Sequence, residues 1–329
     1  MKSIFGAVKK FLRFLKILSP LFDVLLSPLT FAAAIWFRVV RFWGVKNVPL
    51  TRKILLSMGV FPVVDHYYEP LFDYRKISNV DRGESLNITF DLRSQITFLR
   101  QMEYPKELSN ISFDSTSEFD YYYNNGSFGS GDADLYYSII RELKPKRILE
   151  VGSGFSTRIA LLAITENKKS DTDYLCRFTC VEPYEMPWLE KLDVELVRRK
   201  IEDVDPVLFE SLCDGDILFI DSSHIIRPGG DVTYLILKIL PKLRKGVWVH
   251  FHDIFTPEGY PVEWMRDEFR MWNEQYLLEA FLMNNASFEV MVAMNSLSRL
   301  HSDEINSIFP MPAEEKNRDP GSFWIRKNG

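Results

Sequence analysis

The chain has 329 residues, 46% of them hydrophobic and 14% aromatic, which is ample for a buried core and excludes global disorder. Its three cysteines, Cys176, Cys180 and Cys213, have neither a disulfide framework's pattern nor a paired metal spacing, and they fit a reducing, cytoplasmic compartment. The net charge of −5 is uneven: residues 1–53 carry +9 and the remainder −14, which points to an anionic membrane surface and, with no DNA- or RNA-binding motif present, away from nucleic acid.

The first twenty residues, "MKSIFGAVKKFLRFLKILSP", place Ile4, Phe5, Val8, Phe11, Leu12, Leu15 and Leu18 at helical spacing, with Lys2, Lys9, Lys10, Arg13 and Lys16 mostly off that face. This is the pattern of a basic amphipathic helix lying in a membrane interface. Residues 17–37 hold one charge, Asp23, over a length that could cross a bilayer, but Pro20, Asp23 and Pro28 interrupt it, so a broken or re-entrant segment is expected. A signal peptide ending near Ala32–Ala34 and a helical cap buried on the main domain are the alternatives. The expected location is the cytoplasmic face of a membrane, with contact through residues 1–44.

Three regions are expected: a basic, apolar segment over 1–53, an accessory and substrate-side region over 54–130, and a catalytic domain over 131–329. The middle region mixes short apolar runs with turns and ends in the loop "FDYYYNNGSFGSGD". A helix follows in "DADLYYSIIRELK", with Asp132 or Asp134 near its start, where the helix dipole favours an acid. From there the pattern becomes regular. Strands are expected at 147–152, 177–183, 194–200, 216–221, 246–253, 288–294 and 322–327. Helices are expected at 156–167, capped by Ser156, at 231–243 and at 264–285. Alternating strands and helices give an α/β domain: a Rossmann-like, seven-stranded, mostly parallel sheet with an antiparallel last strand, plus a helical N-terminal extension.

In such sheets ligands bind beyond the carboxyl ends of the strands. Glu150, Gly152, Ser153 and Gly154 end the first expected strand, Glu182 the second, Asp221 the fourth, and His252 and Asp253 the fifth. The turn "EVGSGFST" has two glycines where backbone can approach a ligand, but Thr157 stands where a dehydrogenase-type turn has a third glycine. Glu182 could take both hydroxyls of a ribose. Otherwise Glu150 caps neighbouring backbone and Glu182 is a solvated acid.

"RILEVGSGFST", "CVEP", "LFIDSSH" and "GVWVHFHDIFTPEGYP", in this order, resemble class I S-adenosylmethionine-dependent methyltransferases over about residues 120–327. They are closest to the methyltransferase domain 24 group, which is similar to sugar and antibiotic O-methyltransferases. The resemblance implies that Glu150, Gly152 and Gly154, with Ser153 between, hold the methionine end of S-adenosylmethionine and that Glu182 holds its ribose. It implies that "KIEDV" lies near the adenine, and that "FGSGDAD", with Ser130 and Gly131, closes over the site. Catechol-type O-methyltransferases hold magnesium on carboxylates that match Asp221 and Asp253. Their amide ligand has become Ile254 here.

Three of the five histidines fall in 224–252. His252, near a strand tip, and His224 are candidate bases for deprotonating a hydroxyl, titrating near 6.5 if unperturbed, with Asp253 beside them. Asp221 and Asp253 could instead hold Mg2+, with a histidine completing the site. His250 shares a strand face with His252 but lies deeper, as a core group would. The expected function is methyl transfer to a hydroxyl of a sugar, glycan or glycolipid-like acceptor. A non-catalytic cofactor-binding protein at a membrane is the alternative, and Thr157 disfavours a dehydrogenase.

Overall fold

The computed structural model describes residues 19–64, 69–73, 87–88, 90–102, 104–184, 186–315 and 318–329. The expected amphipathic helix over residues 1–18 lies outside the described residues. The chain divides into two compact units, Met1–Lys76 and Ile77–Gly329.

In the first unit, helix α1 (Ser19–Trp43) runs unbroken through Pro28, which corrects the broken segment expected over 17–37, and α2 (Pro49–Met58) begins on a proline and ends on Gly59 at φ 71°. Proline suits a first helical turn, and glycine accepts the left-handed ending. Only Val40 of α1 is buried, while Leu25, Leu29, Phe31, Ile35 and Trp43 are exposed. Arg41 pairs with Glu69 and lies over the Phe61 ring.

In the second unit the strands are β1 (Arg147–Val151), β2 (Arg177–Val181), β3 (Glu195–Val197), β4 (Ile217–Ile220), β5 (Trp248–Phe251), β6 (Phe288–Ala293) and β7 (Phe323–Lys327). They form one sheet in the order β3-β2-β1-β4-β5-β7-β6, with β7 antiparallel to both neighbours. All seven expected strands are present, and the reversed strand is the last in sequence. The central strands are short and wholly buried, as near-continuous apolar runs require when helices cover both faces. Alternation divides the core. Ile148, Phe219, Trp248 and Trp324 point to one face, and Val151, Ile220, Phe251 and Ile325 to the other. Helices α3 (Leu92–Leu99), α4 (Asp132–Leu143) and α5 (Phe155–Ser170) contribute to the first layer, whereas α6 (Asp231–Tyr234) and the turns after it contribute to the second.

Three helix expectations are corrected. Gly154, not Ser156, precedes the first turn of α5, because the Ser156 hydroxyl is taken up by Glu150. The helix expected at 231–243 is α-helical only over α6; a π-turn (Leu235–Ile239) and a 3-10 turn (Leu240–Lys242) follow, the second containing Pro241, which has no N–H to continue the ladder.

The long helix expected at 264–285 is two helices, α7 (Val262–Arg266) and α8 (Glu274–Leu282). Between them the Arg270 guanidinium sits 4.2 Å from the Trp264 ring centroid and 4.6 Å from that of Trp272, and Phe269 is left-handed at φ 53°. The backbone N–H groups of Asn273 and Glu274 both donate to the carbonyl of His224. Ring stacking and these tertiary bonds outweigh helix continuation. Helices α9 (Met294–Leu300) and α10 (Ser302–Ile308) then lead to β7.

Candidate functional site

Gly152, at φ 81°, turns the chain sharply at the tip of β1, where a side chain would strike the carbonyl oxygen of Asp221. The close approach leaves a cavity of about 220 Å³ beyond the tips of β1, β2 and β4, lined by Gly152, Glu182, Tyr184, Ile201, Asp221 and Ser223 among others. Lys200 and Glu202 of "KIEDV" line it too. The Glu182 carboxylate is oriented by backbone N–H groups of Ser153 (3.3 Å) and Tyr184 (2.8 Å). An ionised carboxylate has about four lone-pair directions, so these bonds leave acceptor capacity for hydroxyl groups. A Cβ at Gly154 would meet open space.

Glu150 stands behind this cavity, fully buried, and accepts from the hydroxyls of Ser156 (2.5 Å) and Thr157 (3.0 Å). Burial pushes its pKa up to about 8, against the lowering pull of those hydroxyls. Ser130 and Gly131 are not among the residues that line this cavity; they directly precede Asp132. The Ser130 hydroxyl bonds Glu315, and a Cβ on Gly131 would meet Pro320 at 3.0 Å. Phe128 of the same loop is buried, its ring centroid 5.2 Å from that of His252.

A second cluster adjoins the cavity. Asp221, immediately after β4, and His252 and Asp253, immediately after β5, offer ligand atoms within 4.8 Å of one another. His252 Nδ1 lies 3.6 Å from Asp221 Oδ2 and 3.5 Å from Asp253 Oδ2, and its Nε2 lies 3.5 Å from Asp132 Oδ2. Asp132, the first residue of α4, is itself gripped by the backbone N–H groups of Ser322 (2.8 Å) and Gly321 (3.3 Å). His224 enters from the other side. Its Nε2 lies 3.3 Å from Asp221 Oδ1 and 3.6 Å from Asp253 Oδ2, and its Nδ1 is 2.9 Å from Glu274 Oε2. The Trp272 ring packs on it, with centroids 4.3 Å apart. His224 and Asp253 both hold left-handed backbone, at φ 58° and 57°. Non-glycine residues pay for that conformation and keep it only where the surroundings impose it.

The electrostatics follow from this packing. Burial alone would lower the pKa of His252, but Asp253, Asp221 and Asp132 outweigh it and hold the ring well above its ordinary range. His224 is likewise lowered by burial and raised further by Asp221 and Glu274, to about 10. Burial would raise Asp221, yet His252 and His224 bring it down to about 2. A ring held in this way keeps its proton at neutral pH unless a bound cation displaces it, so the titration near 6.5 expected of a free imidazole does not describe it. His250 is different. It is fully buried, stacks on Phe219 at 4.0 Å between centroids, and faces the Ser322 hydroxyl at 3.0 Å. Burial and the charge on His252 drive its pKa well below the usual value, so it is a neutral core ring.

The structure thus brings Asp221, His224, His252 and Asp253 together and sets Gly152, Glu182 and Asp221 on one cavity. It adds Asp132, Glu274 and Trp272, none of which the sequence singled out as a site residue. Asp132 was legible as a helix-start acid within the "FGSGDAD" stretch that the resemblance closes over the site, and Glu274 was hidden inside a helix expected to be continuous. The donor set of two carboxylates and an imidazole fits a divalent cation.

Residues 149–254 match the family model Methyltransf_24, a methyltransferase domain. An uncharacterized protein of Archaeoglobus fulgidus is 29% identical over 170 residues, covering 46% of this chain and 74% of that protein. Among solved structures, the plantazolicin methyltransferase BpumL in complex with SAH is similar at a TM-score of 0.38 and 12% identity, covering 72% of this chain and 90% of that one.

Proposed function

For a chain that carries a class I methyltransferase domain, we propose transfer of a methyl group from S-adenosylmethionine to a hydroxyl of a sugar, glycan or glycolipid-like acceptor. The observation that carries this reading is the double position of Asp221. It lines the cavity beyond β1 and β2, and it belongs to the cluster with His252 and Asp253. Methyl transfer needs a donor pocket and a proton-handling acceptor site side by side, so that the nucleophile meets the methyl carbon in line.

Within this reading the protein's part is orientation and proton management. Glu182 takes ribose hydroxyls, and Gly152 and Gly154 let the backbone come close to the methionine end. The bound cofactor supplies the methyl group, on a sulfonium centre. The C–S bond breaks as the C–O bond forms. The hydroxyl proton would leave to a carboxylate of the cluster, Asp221 or Asp253, because the His224 and His252 rings already carry theirs. A divalent cation held by Asp221, His252 and Asp253 would offset their charge and polarise the hydroxyl.

The acceptor class rests on the family resemblance and on α1. That helix is 25 residues long and predominantly apolar, and only Val40 of it is buried. A long apolar helix with exposed side chains suits a bilayer. Arg38, Arg41, Lys46, Arg52 and Lys53 near its C-terminal end suit an anionic lipid surface.

The test is incubation of the full chain with methyl-labelled S-adenosylmethionine and fractionated cell glycans and lipids. Alkali-stable label in a glycan or glycolipid fraction is expected, as an ether gives. Label confined to protein or to alkali-labile esters would overturn the hydroxyl acceptor. Bound cofactor with no transfer to any fraction would make the chain a binding protein.

A further inference from the structure

The cluster beyond β4 and β5 has a donor set that discriminates among cations. Among the described residues, neither Asp221 nor Asp253 pairs with a lysine or arginine; both face imidazoles. His252 Nδ1 stands 3.6 Å from Asp221 Oδ2 and 3.5 Å from Asp253 Oδ2. Those gaps are longer than the roughly 2.7–2.9 Å of a charge-assisted hydrogen bond. They are close to the edge of a tetrahedron whose centre lies about 2.0–2.2 Å from each corner, the length of bonds from zinc to imidazole nitrogen or carboxylate oxygen.

The surroundings resemble the support that metal sites need. The far nitrogen of His252 faces Asp132, a buried carboxylate fixed by two backbone N–H groups from the lead-in to β7. His224 has both ring nitrogens against carboxylates. One faces buried Glu274, and the other spans Asp221 and Asp253, so the ring can hold the two acids in place by donating to them. Carboxylates behind ligating imidazoles fix ring orientation and raise ligand basicity. Gly321 packs so tightly on Asp253 that a Cβ would lie 2.9 Å from its backbone, which pins that acid.

We propose that Asp221, His252 and Asp253 form a tripodal site for a divalent transition-metal ion of the Mn2+ or Zn2+ kind in preference to Mg2+, with Asp132, and His224 backed by Glu274, as its positioning residues. The preference comes from His252. Mg2+ demands oxygen and gives up water reluctantly, whereas Mn2+ and Zn2+ accept imidazole nitrogen beside carboxylate. Three protein ligands leave a position for an acceptor oxygen. The inference rests on the methyl-transfer reading only for what that open position would hold.

The test is calorimetric titration of the chelator-stripped full chain with Mn2+, Zn2+ and Mg2+ in turn, with S-adenosylhomocysteine binding measured on the same stripped protein. One Mn2+ or Zn2+ per chain is expected, bound at least about 10-fold more tightly than Mg2+. Asp132→Asn should weaken it about 10- to 100-fold, the usual scale for an outer partner of a ligating histidine, and His252→Asn should shift the preference towards Mg2+. Equal affinity for Mg2+ in the wild type, or no binding at one ion per chain, overturns the proposal whatever the variants do. A folded His252→Asn that keeps the wild-type preference overturns it also. S-adenosylhomocysteine binding without metal binding would sink this inference alone, and metal binding without S-adenosylhomocysteine binding would sink the methyl-transfer reading.

Discussion

The carbonyl oxygen of Asp221 occupies the space where a side chain at Gly152 would begin: a Cβ built there would lie 1.7 Å from it. Gly152 also holds φ 81°, which costs an L-residue about 1–2 kcal/mol before any clash. Gly152→Ala is therefore expected to push the tips of β1 and β4 apart. S-adenosylhomocysteine affinity should fall at least about 10-fold in a protein that still shows a cooperative melt. Calorimetry reads the affinity, and an unchanged value would remove the cavity from the cofactor site.

Glu182→Ala should weaken S-adenosylhomocysteine by about 2–3 kcal/mol, the scale of hydrogen bonds to an ionised group. Because the carboxylate also accepts from Ser153 and Tyr184, the matched control is Ser223→Ala, on the same cavity wall and assigned no ribose contact. If both variants lose affinity equally, Glu182 shapes the wall and does not hold the ribose.

Glu150 predicts a pH signature. Its folded-state pKa is raised by burial to about 8, from an ordinary value of 4.5. The stability it contributes is thus complete below pH 4.5 and is lost as pH rises towards 8. Glu150→Gln has no proton to lose there. The stability of the variant relative to wild type should therefore climb between pH 5 and pH 8, by on the order of a few kcal/mol, and denaturant melts across that range read it. A flat difference across that range would show that the carboxyl is already ionised at pH 5.

His250→Ala should cost about 3 kcal/mol of stability, the usual range for emptying a buried aromatic position, because it removes the ring stacked on Phe219 and leaves the Ser322 hydroxyl without its partner. S-adenosylhomocysteine affinity should stay within about 3-fold. Denaturant melts and calorimetry on one preparation separate the two. A stable variant that has lost affinity would move His250 from the core into the site.

Removing residues 1–44 takes away α1 together with most of the basic N-terminal residues. The remainder should fail to sediment with anionic liposomes yet bind S-adenosylhomocysteine as before. Aggregation with loss of cofactor binding would show the segment to be a cap on the protein.

Much of the fold was legible because its signals are local. "RILEVG" and "DILFID" are short apolar runs closed by a turn residue or an acid, and their length and flanking residues favour buried strands over helices. Ligands of such sheets bind beyond the strand tips, so the placement of Glu182, Asp221, His252 and Asp253 there could be read from the fold rule alone. Glu274 could not. It reaches His224 only because the helix breaks, and the break is caused by Arg270 stacking between Trp264 and Trp272, a tertiary event that helical periodicity does not register. Asp132 was concealed differently. An acid at a helix start has a sufficient local reason to be there, and its second use, opposite His252, depends on β7 supplying the N–H groups that aim it.

That dependence on β7 has a consequence for how the protein is made. β7 is synthesised after β5 and β6, yet it lies between them in the sheet. Until it arrives, the nascent chain displays two open strand edges, a hazard for wrong pairing. Asp132 at that stage has neither of the backbone donors that hold it. A product truncated before Gly321 would lack both donors, and the carboxylate that faces His252 would lose its fixed aim.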